Sequence, residues 1–455
     1  MNKEIEQILN GDLVIHCVKV EVYQAHENGI KMSGHGTIKI NSVGTIYMEF
    51  ICTYSNNVSY TVLGDRLPTD PLDDNQKLYL NAKDLNGKEY KSEGFSITTN
   101  LRSADPPAHH FIILSSIRSL SNVKPYERQD SNFLNFYFSE KFSIPPNKLN
   151  TEESTLGFKS INWNQTLIEM ASYSISMVKH KNYTEVWVNG AFDPKVLLKC
   201  LKFYIGFSSG CMPQFFYIKE TINEIHTETR SSISNIQQRQ LAPSPMVDSI
   251  GDDKYKDHLY HYSLLRNIVS LYNDSPKLFE SIYSQWERVW YSWQSKNSIM
   301  ILTLSVAVEG LLNDIYIPSI KSKIEDLELI REIENIISEI NTLNLTSYHK
   351  DRLISSVNYW KNITASKAFD YLIDNKVITE TDKRLWTKLR NKSAHPRVQE
   401  DDLAKQVLEQ EQVLSCLDLF HKLILNILKY SGPIRLFQFR EKFKYIELTY
   451  TKVLN

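Results

Sequence analysis

Apolar and polar residues alternate along much of the first half of the chain. Residues 18–22 and 36–40 show this alternation, which is typical of a β-strand with one face in a core and the other in solvent. Further runs that predict strands lie at residues 47–52, 59–63, 78–80, 111–114, 133–138, 185–188 and 215–218. One or two helices are predicted within this half, and the pattern favours residues 194–205 for a helix. The pattern predicts a β-rich domain, built as a sandwich or a distorted barrel.

After about residue 230 the apolar residues recur with the period of a helix. Residues 278–293 place their apolar side chains, Trp286 and Trp290 among them, on one face behind Ser275-Pro276, which suit the start of a helix. Residues 298–315 are apolar on nearly every side, as in a helix buried at the centre of a bundle, and Glu309 is the charged residue of its interior. Further helices are predicted at residues 319–342, 347–360, 364–374, 381–392 and 401–430. The second half is therefore expected to be an all-α bundle.

These patterns predict an α+β multidomain protein. A β-rich domain over residues 1–230 is followed by a linker at 231–254, which holds few large apolar residues and much Ser, Gln and Pro. The helical domain covers residues 255–430, and the tail at 431–455 has the pattern of strands. A chain divided in this way can keep regulation and chemistry on separate domains.

Composition narrows the functional class. The 52 basic and 53 acidic residues leave a net charge of −1, so any site for a polyanion must be a local patch. The 5 cysteines are scattered without a CxxC pair, which favours a reducing compartment over a disulfide framework or a zinc ribbon. No signal peptide or long apolar span is visible, so a cytoplasmic protein without a membrane segment is expected.

Familiar cofactor and metal motifs are missing from the sequence. It contains no phosphate-binding loop, dinucleotide fingerprint, zinc-protease HExxH or nucleophile elbow. The histidine pairs His258/His261 and His109-His110 lack a nearby cysteine or a convincing carboxylate partner. We therefore expect neither a cofactor nor a bound metal.

A local basic patch surrounds the pair Arg390 and His395. The stretch 383–399 contains no acidic residue, and its basic residues are Lys383, Arg384, Lys388, Arg390, Lys392 and Arg397. Pro396 disfavours the α conformation at His395, so the helix that carries Arg390 is expected to end before the histidine. An imidazole there, with an ordinary pKa of about 6.5, suits a general base or acid at neutral pH.

Arg390 and His395 are the two residue types that cleavage of RNA without a metal would need. The guanidinium is a forked, permanently charged clamp for phosphate. RNA supplies its own nucleophile, the 2′-hydroxyl, so cleavage needs only removal of that proton and stabilisation of the charge on the phosphate oxygens. DNA lacks the hydroxyl, and the predicted chemistry is therefore specific to RNA.

The same residues resemble the HEPN family. The resemblance rests on residues 307–311 of the buried helix, 367–372, 386–391 and Ala394-His395, and it covers about 255–430. The family motif is Arg, four to six residues, then His, often with Asn directly after the Arg, as Asn391 is here. Pro396 stands where many members carry Gly. The first half is similar to the β-rich domain of ApeA-type bacterial defence proteins, in residues 34–38 and 80–87.

The resemblance implies a function and a partner set. HEPN domains dimerise so that two motifs line one cleft, and they cleave RNA without metal to leave a cyclic phosphate. Such proteins commonly act in anti-phage defence (abortive infection) by attacking host or phage RNA, often tRNA. Arg390, Asn391 and His395 are then the catalytic residues. The β-rich domain would sense or regulate, with a phage-derived trigger.

Several alternatives stay open at the level of sequence. Arg390 and His395 could be a basic helix end that complements the helix dipole, and Asn391 could cap the helix. Glu309 could orient Arg390 or an adjacent residue through a buried ion pair, or form a purely structural salt bridge. The candidate RNA-binding residues are Lys388, Lys392 and Arg397, although lysines on an exposed helix are usually only solvated. The whole protein could also be a non-catalytic, dimeric module that binds RNA or another ligand.

Overall fold

A computed structural model describes most of the chain. The described residues are 3–56, 67–68, 70, 72–98, 110–125, 132–139, 145–153, 159–222, 224–233, 242–247, 259–293, 295, 297–321, 327–360, 362–394, 403–437 and 444–454. The predicted strand at residues 59–63 lies outside them.

The chain forms two compact units. The first, here the β unit, comprises Met1–Leu198 and Cys211–Gln240, and the second, the helical unit, comprises Lys199–Gly210 and Leu241–Asn455. A strand-rich first part followed by a helical second part confirms the expected α+β architecture. Lys199–Gly210 belongs to the helical unit although the residues before and after it in sequence belong to the β unit. A single domain boundary at a linker therefore does not divide the chain into these two units.

The β unit is one antiparallel sheet. Among the described residues its strands are β1 (Val14–Gln24), β2 (Lys31–Ile40), β3 (Ile46–Ser55), β4 (Leu78–Asp84), β5 (Glu89–Glu93), β6 (Ser96–Thr98), β7 (His110–Ile117), β8 (Ser119–Pro125), β9 (Asn132–Phe138), β10 (Lys148–Glu153), β11 (Lys159–Glu169), β12 (Tyr173–Lys179), β13 (Thr184–Gly190), β14 (Phe215–Ile222) and β15 (Ile225–Ser231). Their order is β10-β11-β12-β13-β9-β14-β15-β8-β5-β4-β1-β2-β3-β7-β6. Helix α1 (Lys3–Asn10) buries Ile5 and Ile8 in the apolar core of this unit.

Alternation accounts for the strands that the sequence predicts. In β3, for example, Ile46, Met48 and Phe50 are buried while the residues between them are partly exposed. Strands such as β11 and β15 are polar along most of their length. They are held by their neighbours in the sheet, and their own sequences carry little apolar signal.

Helix α2 (Pro194–Ser209) extends beyond the predicted 194–205, and its residues from Lys199 onwards belong to the helical unit. Among the described residues, the other α-helices are α3 (Leu259–Asp274), α4 (Pro276–Ser292), α5 (Asn297–Leu311), α6 (Ile317–Lys321), α7 (Leu327–Thr342), α8 (Ser347–Tyr359), α9 (Ala365–Asp374), α10 (Glu380–Ala394) and α11 (Leu403–Ile427). A π-helical turn, Leu312–Tyr316, joins α5 to α6. The tail contains a hairpin of β16 (Gly432–Leu436) and β17 (Lys444–Leu448).

The C-terminal part of α2 joins the helical unit through aromatic packing. The Phe203 ring lies 5.2 Å from that of Trp286 and 5.9 Å from that of Phe279, both on α4. The indole of Trp290 donates to the carbonyl of Gly210 at 2.8 Å. Such edge-to-face contacts between buried rings stabilise this part of α2 within the helical unit.

Helix α5 is the central helix of the helical unit. Leu304, Val308 and Leu311 are fully buried, and α5 packs on α4, α10 and α11. A stripe of half-exposed apolar residues, Ile299, Leu302 and Val306, follows one of its faces, so the expectation of burial on nearly every side was wrong there. Among the described residues, Ser298–Lys321 is one helix that is long and apolar enough to cross a membrane, and half of that segment is buried inside the protein. Core helices have the same composition.

Candidate active site

Trp386 and Leu389 fix α10 against the core of the helical unit, through contacts that include α5 and α9. The Trp386 indole donates to the carbonyl of Ser305 at 3.1 Å, and its ring lies 4.9 Å from that of Phe369 on α9. Leu389 is fully buried one turn further on. The face of α10 that carries Trp386 and Leu389 therefore belongs to the core, and the opposite face is open to solvent.

The beginning of α10 is fixed by a reciprocal cap. The backbone amide and the hydroxyl of Thr379 both donate to Asp382 Oδ2, at 2.9 and 2.8 Å, and the amide of Asp382 lies 3.3 Å from Thr379 Oγ1. Lys422 of α11 donates to the same carboxylate at 3.1 Å. A buried, fully hydrogen-bonded cap sets the register of the helix. The position of Arg390, about two turns further on, follows from it.

Arg390 forms a forked ion pair with Glu309 of α5. Its Nε donates to Glu309 Oε2 at 3.2 Å and its Nη2 donates to Oε1 at 3.3 Å. The side chain of Arg390 is 47% exposed and that of Glu309 is 30% exposed. The sequence suggested a buried pair, whereas the observed pair lies at the surface because Glu309 sits at the edge of the buried face of α5. Glu309 orients the guanidinium and leaves it within reach of solvent.

The other described polar residues of α10 near Arg390 divide between an exposed stripe and paired positions. Arg384, Lys388 and Asn391 are exposed and spaced by four and three residues, so they share one face of α10. Lys392 pairs with the buried Glu409 of α11 at 2.9 Å, and Lys383 pairs with Asp370 of α9. Among the described basic residues of this patch, Lys383 and Lys392 are therefore partly neutralised by carboxylates. The positive charge is less concentrated than the sequence suggests.

His395, Pro396 and Arg397 lie outside the described residues. The structure describes α10 as helix to Ala394, the residue immediately before the histidine. The proposed roles of His395 and Arg397, and the end of the helix at Pro396, stay predictions.

Two of the described histidines are too enclosed to act as an acid or base on a substrate. His421 is buried in α11, and desolvation lowers its pKa to about 3, so it is neutral and enclosed at physiological pH. His261 is also buried, and its Nε2 lies 3.1 Å from the carbonyl of Val247. In the part of the chain that the structure describes, no group of His, Cys, Asp and Glu side chains could hold a metal ion. His258 and His109 lie outside the described residues.

The cysteines are free and mostly buried. Burial raises the pKa of Cys17 to about 12, with a smaller contribution from the charge of Asp84, and burial also raises that of Cys200 to about 12. Thiols with such pKa values stay protonated at neutral pH, so neither residue suits nucleophilic catalysis.

No protein-family model, curated protein or solved structure matches this chain. The resemblance to the HEPN family therefore stays a prediction that rests on Arg390, Asn391, His395 and the helices around them. Sequence reasoning missed Glu409 and Asp370 as partners of the basic patch. Their only sequence signal is an acidic residue on a neighbouring predicted helix, which cannot show which lysine it faces.

Proposed function

We propose that the protein is a metal-independent endoribonuclease of the HEPN type. The observation that carries the proposal is the forked pair between Arg390 and Glu309 on the solvent-exposed edge of α10. An arginine that is oriented by one carboxylate and still half exposed is suited to receive a phosphate. Of the two motif residues, Arg390 lies on the described helix, and His395 directly follows Ala394, the last residue of that helix.

In this proposal each residue has one task. His395 removes the proton of the 2′-hydroxyl, the resulting oxygen attacks the adjacent phosphorus, and the 5′-oxygen leaves to give a 2′,3′-cyclic phosphate. The proton lost from the 2′-hydroxyl is balanced by one delivered to the leaving oxygen. Arg390 stabilises the charge that grows on the phosphate oxygens, and the exposed amide of Asn391 binds the same group. Lys388, Lys392 and Arg397 bind the RNA backbone on either side.

The biological setting follows the same resemblance. The protein acts in the cytoplasm in anti-phage defence (abortive infection), on host or phage RNA such as tRNA, as a homodimer through the helical unit. The β unit senses a phage-derived trigger and restrains the nuclease, since an unrestrained nuclease would damage its own host. Light scattering across working concentrations tests the dimer, and a monomer throughout would contradict it.

A non-catalytic, dimeric module that binds RNA or another ligand is the second candidate. One observation favours it: Lys383, Arg390 and Lys392 each face a carboxylate, as residues of a structural ion-pair network would. In that case substitution of Arg390 changes binding or stability, and RNA is never cut.

Incubation of the purified full-length protein with total tRNA and mRNA in EDTA separates the two candidates. We expect the wild type to cut RNA, and Arg390→Ala and His395→Ala each to lose about 10²-fold or more in rate. Arg384→Ala is the matched control, because Arg384 is exposed on the same helix but lies outside the motif. Intact RNA in all lanes, including with phage-infected extract as a source of trigger, would refute the nuclease.

A further inference from the structure

The β unit contains a pocket of about 630 Å³ that the proposed nuclease site does not use. Its walls come from the end of α1, from the middle of β11 and from the turn that joins β12 to β13. Pockets of a few hundred cubic ångströms with converging polar groups are the usual size for a small-molecule site.

An irregularity in β11 shapes one wall of this pocket. Lys148 of β10 pairs with Gln165 of β11, while Asn150 pairs with Asn162, so β11 holds one residue more than β10 between these pairs. The extra residue falls at Trp163 or Asn164, which both line the pocket. A β-bulge breaks the strict alternation of side chains and is a common way to re-aim one of them. Trp163 is 59% exposed, so its indole is largely unused by the core.

Side-chain amides supply most of the polar lining. Asn10, Asn162 and Asn182 reach the pocket from three different elements. Asn164 donates from Nδ2 to the carbonyl of Lys179 at 2.8 Å, which ties β11 to the end of β12. Each amide offers a donor and an acceptor side by side, the pattern that matches the edge of a nucleobase.

The turn between β12 and β13 contributes two lysines to the pocket, and contacts of His180 hold this turn in place. Lys179 and Lys181 both line the pocket, and Glu6 contributes a carboxylate to the same lining. Between the lysines, the His180 ring stacks on Tyr183 at 4.4 Å, and its Nε2 lies 3.3 Å from Glu185 Oε2. The turn is therefore held by stacking and by the polar contact between His180 and Glu185, and both lysines belong to the lining of the cavity.

We propose that this pocket binds a ribonucleoside phosphate. The base stacks on Trp163 and its edge is read by the asparagine amides, because stacking on an indole and paired amide hydrogen bonds are how proteins hold single bases. Lys179 and Lys181 bind the phosphate, and Glu6 accepts hydrogen bonds from the ribose hydroxyls. The inference is independent of the nuclease, since it rests on residues of the β unit alone.

Titration calorimetry on the full-length protein tests the proposal. The probes are AMP, GMP, CMP and UMP, with adenosine, ribose 5-phosphate, inorganic phosphate and a neutral disaccharide as partial or unrelated ligands. We expect at least one mononucleotide to bind with a Kd below about 1 mM, and every partial ligand to bind at least about tenfold more weakly. Trp163→Ala and Lys181→Ala should each weaken that binding about tenfold or more, since stacking and phosphate contacts act separately.

Matched variants control for general damage to the fold. Trp187→Ala removes a partly exposed indole that is not part of the pocket, and Lys124→Ala removes an exposed lysine of the same sheet. Both should bind the mononucleotide like the wild type, and thermal melts should show all four variants folded. Trp163→Phe keeps a stacking ring and should retain most of the binding. Absence of mononucleotide binding, equal binding of the disaccharide, or unchanged binding by Trp163→Ala and Lys181→Ala would each overturn the proposal.

Discussion

Two arginine–glutamate pairs, one in each unit, have the same chemistry and opposite surroundings. Arg230 of β15 is 1% exposed, and its Nε donates to Glu4 of α1 at 2.7 Å. Its guanidinium also donates to Glu228 at 3.2 Å and lies 5.6 and 5.0 Å from the rings of Tyr90 and Tyr217. Arg390, in contrast, pairs with Glu309 at the surface and remains 47% exposed.

The difference distinguishes Arg230, whose charge is buried within the fold, from Arg390, whose charge is accessible to solvent. The cost of burying Arg230 is offset by two carboxylates and two aromatic faces, so removing it would take away a buried partner of Glu4 and Glu228. Arg390 lies in a more polar environment, where an ion pair contributes little to stability. A guanidinium that is oriented by Glu309 and remains half exposed at the surface can serve a substrate.

The largest effect on the free energy of unfolding is expected from replacing Arg230 by methionine, compared with the same replacement of Arg390. Arg230→Met should lower the free energy of unfolding by about 3–5 kcal/mol, because Glu4 and Glu228 lose their buried partner. Arg390→Met should lower it by no more than about 1 kcal/mol. Urea titrations followed by circular dichroism measure both values. Similar losses for the two variants would remove the distinction between the pairs.

A smaller effect is expected from acid. Burial raises the pKa of Glu228, but the hydrogen bonds and charges of Lys88 and Arg230 outweigh burial and lower it to about 2 from 4.5. Because the folded value lies below the unfolded one, this carboxylate stabilises the protein above about pH 4.5, and that stabilisation is lost as the pH falls towards 2. The loss should be on the order of 2 kcal/mol.

The acid effect is measured by comparing wild type with Glu228→Gln in urea titrations from about pH 6 to about pH 3. The wild type should lose more stability than the variant over this range, so that the two curves converge at low pH. Parallel curves would show that Glu228 does not carry the effect.

The smallest effect concerns Glu309 itself. Glu309→Gln keeps a hydrogen-bond acceptor for Arg390 but removes the charge that orients it. Loss of one net hydrogen-bond contribution of about 1 kcal/mol corresponds to about fivefold in the rate of RNA cleavage. The rate and the urea midpoint are measured on the same preparations. A lower midpoint with an unchanged rate would assign Glu309 to structure alone.

Local periodicity predicted most of the helical unit. The apolar face behind Ser275 became α4, and the capping residue Thr364 precedes α9, where its hydroxyl accepts from the amide of Lys367. These features are local in sequence, so spacing and capping chemistry reveal them. The predicted helix at 319–342 is described as the separate helices α6 and α7, with residues 322–326 outside the description.

Features that depend on distant contacts were not predictable in this way. Arg230 lies in a strand with few apolar residues, and nothing in its neighbourhood shows that Glu4, at the other end of the β unit's sequence, is its partner. The neutralisation of Lys392 by Glu409 is of the same kind. At the candidate site, the sequence offered Glu309 either as the residue that orients Arg390 or an adjacent residue or as part of a structural salt bridge, while the exposure of the pair depends on the packing of α10 on α5.

The central claim is that RNA is cut by its own 2′-hydroxyl with Arg390 and His395. The most direct test is cleavage, in EDTA, of an RNA that the wild type cuts, compared with the same RNA carrying a single 2′-deoxy nucleotide immediately 5′ of the scissile phosphate. We predict a 2′,3′-cyclic phosphate on the product of the all-ribose RNA and no cleavage at the substituted position. Equal cutting of the deoxy-substituted RNA, or products that end in a 3′-hydroxyl, would contradict the mechanism.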